Sequence, residues 1–264
     1  MEKYNGLWRS FFAIQLIAIA VQQLVCADFR PVILPSAYPH WLGDRIVWTW
    51  IFSLIMIAAN GAILFEYRGR VISLIMADIL LLLILLFFIP YYISIGWQGI
   101  GAWNDALKLL VFSGGTYIVA GTFDRDADAS SFARFSERLI PAGKYFFSTT
   151  MIVFGAEHFI YEKFVAPLVP GWIPWPDFWT YFAGAALIAG GVGIVINVQR
   201  RLAGFLLGLA IFLWFIVLHI PRAIADPHSG NGNEWSSVFE AFGFSGIGFI
   251  IAGNSKKVIS DKSV

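Results

Sequence analysis

Long apolar runs, broken at intervals by short polar or proline-rich stretches, organise this chain from end to end. Eight runs are long enough, or extended enough by aromatic ends, to form helices that cross a hydrocarbon core of about 30 Å. They fall near residues 9–28, 46–66, 71–92, 104–121, 144–161, 178–198, 202–220 and 237–253. The spans must be helical, because an open strand in lipid leaves its amides unpaired. The alternating segments of about ten residues that mark an outer-membrane barrel do not occur. The pattern predicts an all-α, polytopic membrane protein with about eight transmembrane helices.

Composition agrees. Of 264 residues, 58% are hydrophobic and 13% charged, and the mean hydropathy is +0.72. A soluble domain carries nearly twice that share of charge, about 25%, so lipid is the solvent for most of the chain. The apolar stretch Phe11–Val25 is read as a retained first span, since no small-residue cleavage pattern follows it. Val25, just before Cys26, is not the small residue that a lipoprotein site would want.

Charge divides unevenly between the two sides of these spans. The termini and even-numbered loops hold Lys3, Arg9, Arg68, Arg70, Arg125, Arg134, Arg138, Lys144, Arg200, Arg201, Lys256, Lys257 and Lys262. The other side holds Arg30, Arg45, Lys163 and Arg222, with loops rich in Trp and Pro such as PGWIPWPDFW. The positive-inside rule then predicts an inner-membrane protein with both termini cytoplasmic. The net charge of +1 and the absence of a clustered basic face argue against a nucleic-acid partner. One cysteine, Cys26, excludes an internal disulfide, a CxxC pair, a thiolate-held iron–sulfur cluster and covalent c-type haem.

The two halves also resemble each other. FRPVILP at 29–35 aligns with FVAPLVP at 164–170, Pro39 with Pro174, WTW at 48–50 with WTY at 179–181, and Arg70 with Arg201. Ile89-Pro90 aligns with Ile220-Pro221, and Trp103, Ser113, Gly114 and Ala120-Gly121 with Trp235, Ser245, Gly246 and Ala252-Gly253. An even number of spans per copy makes this a parallel duplication. The expectation is two tandem four-helix bundles, at 1–121 and 144–264, joined by a cytoplasmic linker at 122–143. Small residues on the sixth and eighth spans (Gly184, Gly190, Gly191, Gly193, Gly243, Gly246, Gly248) predict close helix packing.

Ionisable groups inside spans are costly and face a bundle interior or a cavity. Between the copies, Gln22 and Gln23 become Glu157 and His158, Phe88 becomes His219, Tyr91 becomes Arg222 and Lys108 becomes Glu240. With Glu162, these residues lie toward the outer face of the second copy and are the candidate ligand-binding set. His158 and Glu162 are four apart and would share a helix face, with Glu157 offset by about 100°. His40 and His228 fall in outer loops.

Three readings fit this set. In a structural network, Arg222 pairs with Glu157 or Glu240 and the histidines bond backbone carbonyls or tryptophan neighbours, since buried charges need partners. In a ligand or quinone site, a histidine with neighbouring carboxylates bonds quinone oxygens and exchanges protons with the outside. In a metal or haem site, His158 and His219 are ligands with Glu162, Glu157 or Glu240 completing an oxygen/nitrogen set, although two histidines on different helices are a sparse signal. In the first copy, Asp78 deep in the third span and Lys108 toward the outer part of the fourth are expected to bridge to each other, or to Glu66 and Asp105 at helix ends; the residue matching Asp78 is Leu209. Asn60, Gln15, Gln22 and Gln23 are expected to hydrogen-bond between helices.

The stretch GAEHFIYEKFVAPLVPGWIPWPDFWTYFAGAALIAGGVGIVI, followed by RRLAGFLLGLAIFLWFIVLHIPR, resembles the DoxX-like family of small four-helix membrane proteins. The resemblance covers residues 144–254, and reaches the first half only through the repeat; a fused duplication departs from the family's usual single copy. It implies a four-helix bundle per copy and a link to redox assemblies, including membrane subunits of thiosulfate:quinone oxidoreductase. Two functions follow as expectations. One is a quinone-binding membrane component of an oxidoreductase system, working with redox partner proteins. The alternative is a non-catalytic scaffold or assembly factor. A transporter is disfavoured at this level because paired Gly/Pro breaks at mid-membrane are not evident.

Overall fold

The computed structural model describes residues 2–37, 43–125 and 130–254. Pro39, His40, Lys256, Lys257 and Lys262 lie outside the described residues. Among those described, the chain is helical and contains no strand.

The main helices are α1 (Asn5–Cys26), α2 (Arg45–Leu64), α3 (Gly69–Leu83), α4 (Ile89–Ile95), α5 (Asn104–Ala120), α6 (Ser131–Ser136), α7 (Ile140–Ile160), α8 (Glu162–Val165), α9 (Pro176–Val195), α10 (Arg200–Trp214), α11 (Ile220–Ala225) and α12 (Asn233–Gly253). Six helical stretches are long and apolar enough to cross a membrane: Glu2–Cys26, Arg45–Leu64, Gly69–Ile95, Pro176–Val195, Arg200–Ala225 and Ser229–Gly253. The other two expected spans coincide with α5 and α7, which are not among the six. Helix α5 has only 17 residues, and α7 carries Lys144, Glu157 and His158.

Several helices on either side of α7 share lengths and turn geometry. Helices α2 and α9 each have 20 residues, and α3 and α10 each have 15. The residue before each of the latter pair is left-handed, Arg68 at φ 46 and Gln199 at φ 48. Each then runs into a five-residue π turn, Ile84–Phe88 or Phe215–His219. The amide that closes each π turn belongs to the residue before a proline: Ile89 N–H donates to Ile84 O, and Ile220 N–H to Phe215 O. Pro90 and Pro221 have no amide to give, so the ordinary ladder cannot continue and the helix widens by one residue per turn. The aligned Ile-Pro pairs were expected to end these helices; instead each helix continues past its proline through a π turn.

The chain divides into two compact units, Met1–Phe12 with Phe147–Val264, and Ala13–Phe146. The expected division at 121 and 144 is displaced, because α1 and α7 each change unit partway along their length. In the unit of residues 13–146, Gln23 is fully buried; its amide donates to Ser53 Oγ at 2.9 Å and its carbonyl accepts from Arg30 N–H at 3.2 Å. This ties α1 to α2 as expected. Asn60 instead donates to Met56 O of its own helix at 2.8 Å, and neither polar atom of buried Gln15 has a hydrogen-bond partner among the described residues.

Residues 130–139, expected as linker, are an integral part of this unit. Ser130 caps α6 by accepting from Ala133 N–H, and α6 packs on α3 through buried Ala133 and Ser136. Asp78 accepts hydrogen bonds from Tyr117 and Ser136 rather than meeting Lys108, Glu66 or Asp105. Arg70 Nε donates to Glu137 at 2.5 Å, and its Nη1 to the carbonyls of Ala120 (3.1 Å) and Phe123 (2.9 Å).

Candidate functional site

All six candidate residues lie in the unit of residues 1–12 and 147–264. Two antiparallel helix pairs carry five of them, and Glu162 opens α8. In the first, Gly155 of α7 faces Gly184 of α9: a Cβ built on Gly155 would sit 2.7 Å from Gly184 O. Lower down, a Cβ on Gly191 would sit 2.8 Å from Ser148 O. The backbones therefore touch, as the small residues predicted.

His158 lies against this seam, its Cβ 2.8 Å from the Cβ position of Gly184. Its Nδ1 is 2.7 Å from Phe154 O. A carbonyl only accepts, so Nδ1 carries the proton, and the acceptor lone pair of the neutral ring is on Nε2. The matching pair in the other half is Gln23 and Ser53, joined by a hydrogen bond. Here the serine has become Gly184, which makes room for the imidazole and removes the hydroxyl.

Glu157 is buried, 7% exposed, and points about 200° around α7 from Gly155, away from α9. Glu162 does not share the face of His158. Helix α7 ends at Ile160, and Tyr161 has left helical geometry (φ −112, ψ 32) before α8 begins, so the four-residue spacing no longer sets a common side.

In the second pair, α10, the π turn and α11 run antiparallel to α12. A Cβ on Gly248 would lie 2.7 Å from Gly208 Cα, the Phe215 and Phe242 ring centroids are 5.2 Å apart, and Arg222 meets Glu234. That register places His219, between Phe215 and Arg222, at the level of the α12 turns between Phe242 and Glu234, where Glu240 resides. Glu240 is 4% exposed and lies on a different side of α12 from the residues on α10, such as Ser245 and Gly248. The start of α1 covers a further side, with Phe11 and Phe242 centroids 4.1 Å apart and Trp8 and Phe249 4.6 Å apart.

Arg222 pairs with neither Glu157 nor Glu240. It grips Glu234 in a two-bond fork, Nε to Oε2 at 3.0 Å and Nη2 to Oε1 at 2.5 Å. Glu234 was absent from the sequence-derived set, although its position in the first turn of α12 is where a carboxylate favours the helix dipole. Glu157, His219 and Glu240 each have interactions of their own within the fold. Among the described residues, no group of three or more His, Cys, Asp or Glu side chains comes together to hold a metal ion. His228 is exposed in the connection between α11 and α12.

Residues 147–240 match a family model described as a domain of unknown function, DUF8561. No curated protein and no solved structure matches the chain. The matched stretch runs from α7 into α12 and takes in all six candidate residues as well as Gly184 and Glu234.

The fork makes a direct prediction. Both partners are partly exposed, at 29% and 18%, so losing its charge-assisted bonds costs about 1.5–3 kcal/mol. Arg222→Gln should lower unfolding stability in detergent by that amount, and Glu234→Gln by a similar amount. Adding the two changes together should cost much less than their sum.

Proposed function

We propose that this chain is an eight-span inner-membrane protein with both termini cytoplasmic, formed by duplication of one four-helix unit. Its second copy binds a quinone or a similar amphipathic ligand as the membrane component of an oxidoreductase system. Matching lengths, caps and π turns in the two halves support the duplication, and the resemblance to DoxX-like proteins supports the redox setting. The observation that carries the ligand reading is His158. A polar pair that is closed in the first copy, Gln23 with Ser53, is opened in the second, where an imidazole with its Nδ1 already engaged lies over a glycine. Nε2 can then bond a quinone oxygen.

The test is mass spectrometry of lipid extracts from the detergent-purified protein, with His158→Ala and His219→Ala variants. Quinone should accompany the wild-type protein and fall at least tenfold in variants that melt at the wild-type temperature. Wild-type protein that carries no quinone, with variants that lose only stability, would transfer the case to the scaffold reading.

A transport reading is favoured by one specific observation, the matched π turns before Pro90 and Pro221. Breaks at corresponding positions of two halves mark substrate sites in many transporters. Solute flux into proteoliposomes, lost on Pro221→Ala, would select it.

A further inference from the structure

The interior of the unit of residues 13–146 carries a polar level of its own. Gln15 of α1, Asn60 of α2 and Ser73 of α3 are each 0% exposed. Four of their atoms have no hydrogen-bond partner among the described residues: Gln15 Nε2 and Oε1, Asn60 Oδ1 and Ser73 Oγ. Burying such groups unpaired is costly, so each calls for a partner. Asn60 Nδ2 is already engaged by Met56 O, which leaves the Oδ1 of that amide to be satisfied.

Helix register brings the three residues to one level. Gln23 of α1 meets both Ser53 and Met56 of α2, with Nε2 2.9 Å from Ser53 Oγ and 4.0 Å from Met56 Sδ. Consecutive spans run in opposite directions. Gln15 lies eight residues back along α1 from Gln23, and Asn60 seven residues on along α2 from Ser53, so both descend by about 10–12 Å. Asn60 and Ser73 in turn stand five residues from either end of the turn at 65–68 that joins α2 to α3.

The other half shows how this level closes when such side chains are missing. The aligned positions there are Thr150, Gly191 and Gly204. A Cβ on Gly191 would sit 2.8 Å from Ser148 O, and one on Gly204 3.0 Å from Gly248 O. An asparagine or a serine has no place at that spacing. The helices of the first unit therefore stand further apart at this level and meet through side chains with polar ends. None of the four atoms bonds to another, and groups held beyond direct hydrogen-bond reach are what a bridging molecule joins. Gln15 Nε2 only donates, Gln15 Oε1 and Asn60 Oδ1 only accept, and Ser73 Oγ does either. An alkali cation would face the Gln15 N–H donors with no counter-charge in the set, whereas a small neutral molecule that both donates and accepts suits all four.

We propose that this level is a hydration site, where water held inside the first bundle bridges Gln15, Asn60 and Ser73. The site is independent of the quinone reading and uses the other half only for comparison. It makes the first unit the one with a wetted interior, while the aligned level of the second is sealed by backbone contact.

Buried methionines can report it. Met56 lies one turn from Asn60 and Met76 one turn from Ser73, while Met151 lies one turn from Ser148, a lone buried hydroxyl without a partner among the described residues. The full chain in nanodiscs is given brief X-ray pulses in heavy-oxygen water, which turn bound water into hydroxyl radicals, and methionine oxidation is read by mass spectrometry. Met56 and Met76 should take up label several-fold faster than Met151. In Gln15→Leu/Asn60→Leu/Ser73→Ala both should fall to the Met151 rate, with a melting temperature no lower than wild type, because apolar groups replace every unpaired one. If the triple variant does not fold, Asn60→Leu and Ser73→Ala decide singly, with slower labelling expected at Met56 and Met76 respectively. Equal rates at the three methionines in the wild type, or unchanged labelling in a folded variant, would overturn the hydration site.

Discussion

Replacing Arg70 by alanine is expected to cost the protein about 3–5 kcal/mol of unfolding free energy, the range for breaking a buried ion pair by removing one partner. Arg201→Ala, at the matching position of the second half, is expected to cost less than about 0.5 kcal/mol, as for an exposed side chain without such partners. The two arginines open matching helices and look equivalent in sequence. Arg70, however, has a side chain only 8% exposed, pairs with Glu137 and donates to two carbonyls at the end of α5, whereas Arg201 is exposed. Removing Arg70 leaves Glu137, among the described residues, with the distant Arg125 at 3.9 Å and strips the Ala120 and Phe123 carbonyls of a charged donor. Thermal or denaturant unfolding in one detergent, run on both variants together, checks the contrast. Equal losses would mean that the segment containing Glu137 does not hold α3 as described.

The second large effect is expected at Gly248. A single added methyl, Gly248→Ala, meets Gly208 Cα at 2.7 Å and Gly208 N at 2.8 Å. Backbone on another helix cannot turn aside as a side chain can, so α10 and α12 must separate. Overpacking of this kind costs about 1–3 kcal/mol, and Gly248→Leu should prevent accumulation of folded protein. Gly171→Ala is the control, because nothing lies within 4 Å of its added Cβ. In lipid the penalty is felt fully, since close van der Waals contact rather than exclusion of water holds such helices together. Yield and melting temperature of Gly248→Ala, Gly248→Leu and Gly171→Ala, purified side by side, measure it.

Glycines spaced along an apolar run announce a close helix seam whatever the partner, and the Gly208–Gly248 approach fits that expectation. The partners of Arg70, Asp78 and Arg222 were not legible in that way. Asp78 is met by hydroxyls from Tyr117 and Ser136, residues far along the chain that carry no charge to mark them as its match. Arg222 chose Glu234 over Glu157 and Glu240 because the antiparallel register of α11 on α12 brings that carboxylate to its level. Opposite charges in a sequence say that pairing is needed, but not which pair the backbone brings within reach.

By itself, the sequence determined the helical class, the positions of the long apolar helices, and the places where the second half carries ionisable groups opposite neutral or oppositely charged residues of the first. Each of these depends on hydrophobic length, helical period or residue identity, all of which are local. Only the tertiary structure decided that residues 130–139 pack as part of a unit, that α1 and α7 each contribute to both units, and that Glu162 leaves the face of His158. It also turned two Ile-Pro pairs into matched π turns and joined α11 to α12 by a salt-bridge fork. Those outcomes depend on which surfaces meet across long sequence separations, where burial, backbone clearance and the loss of a single amide decide between local conformations of similar energy.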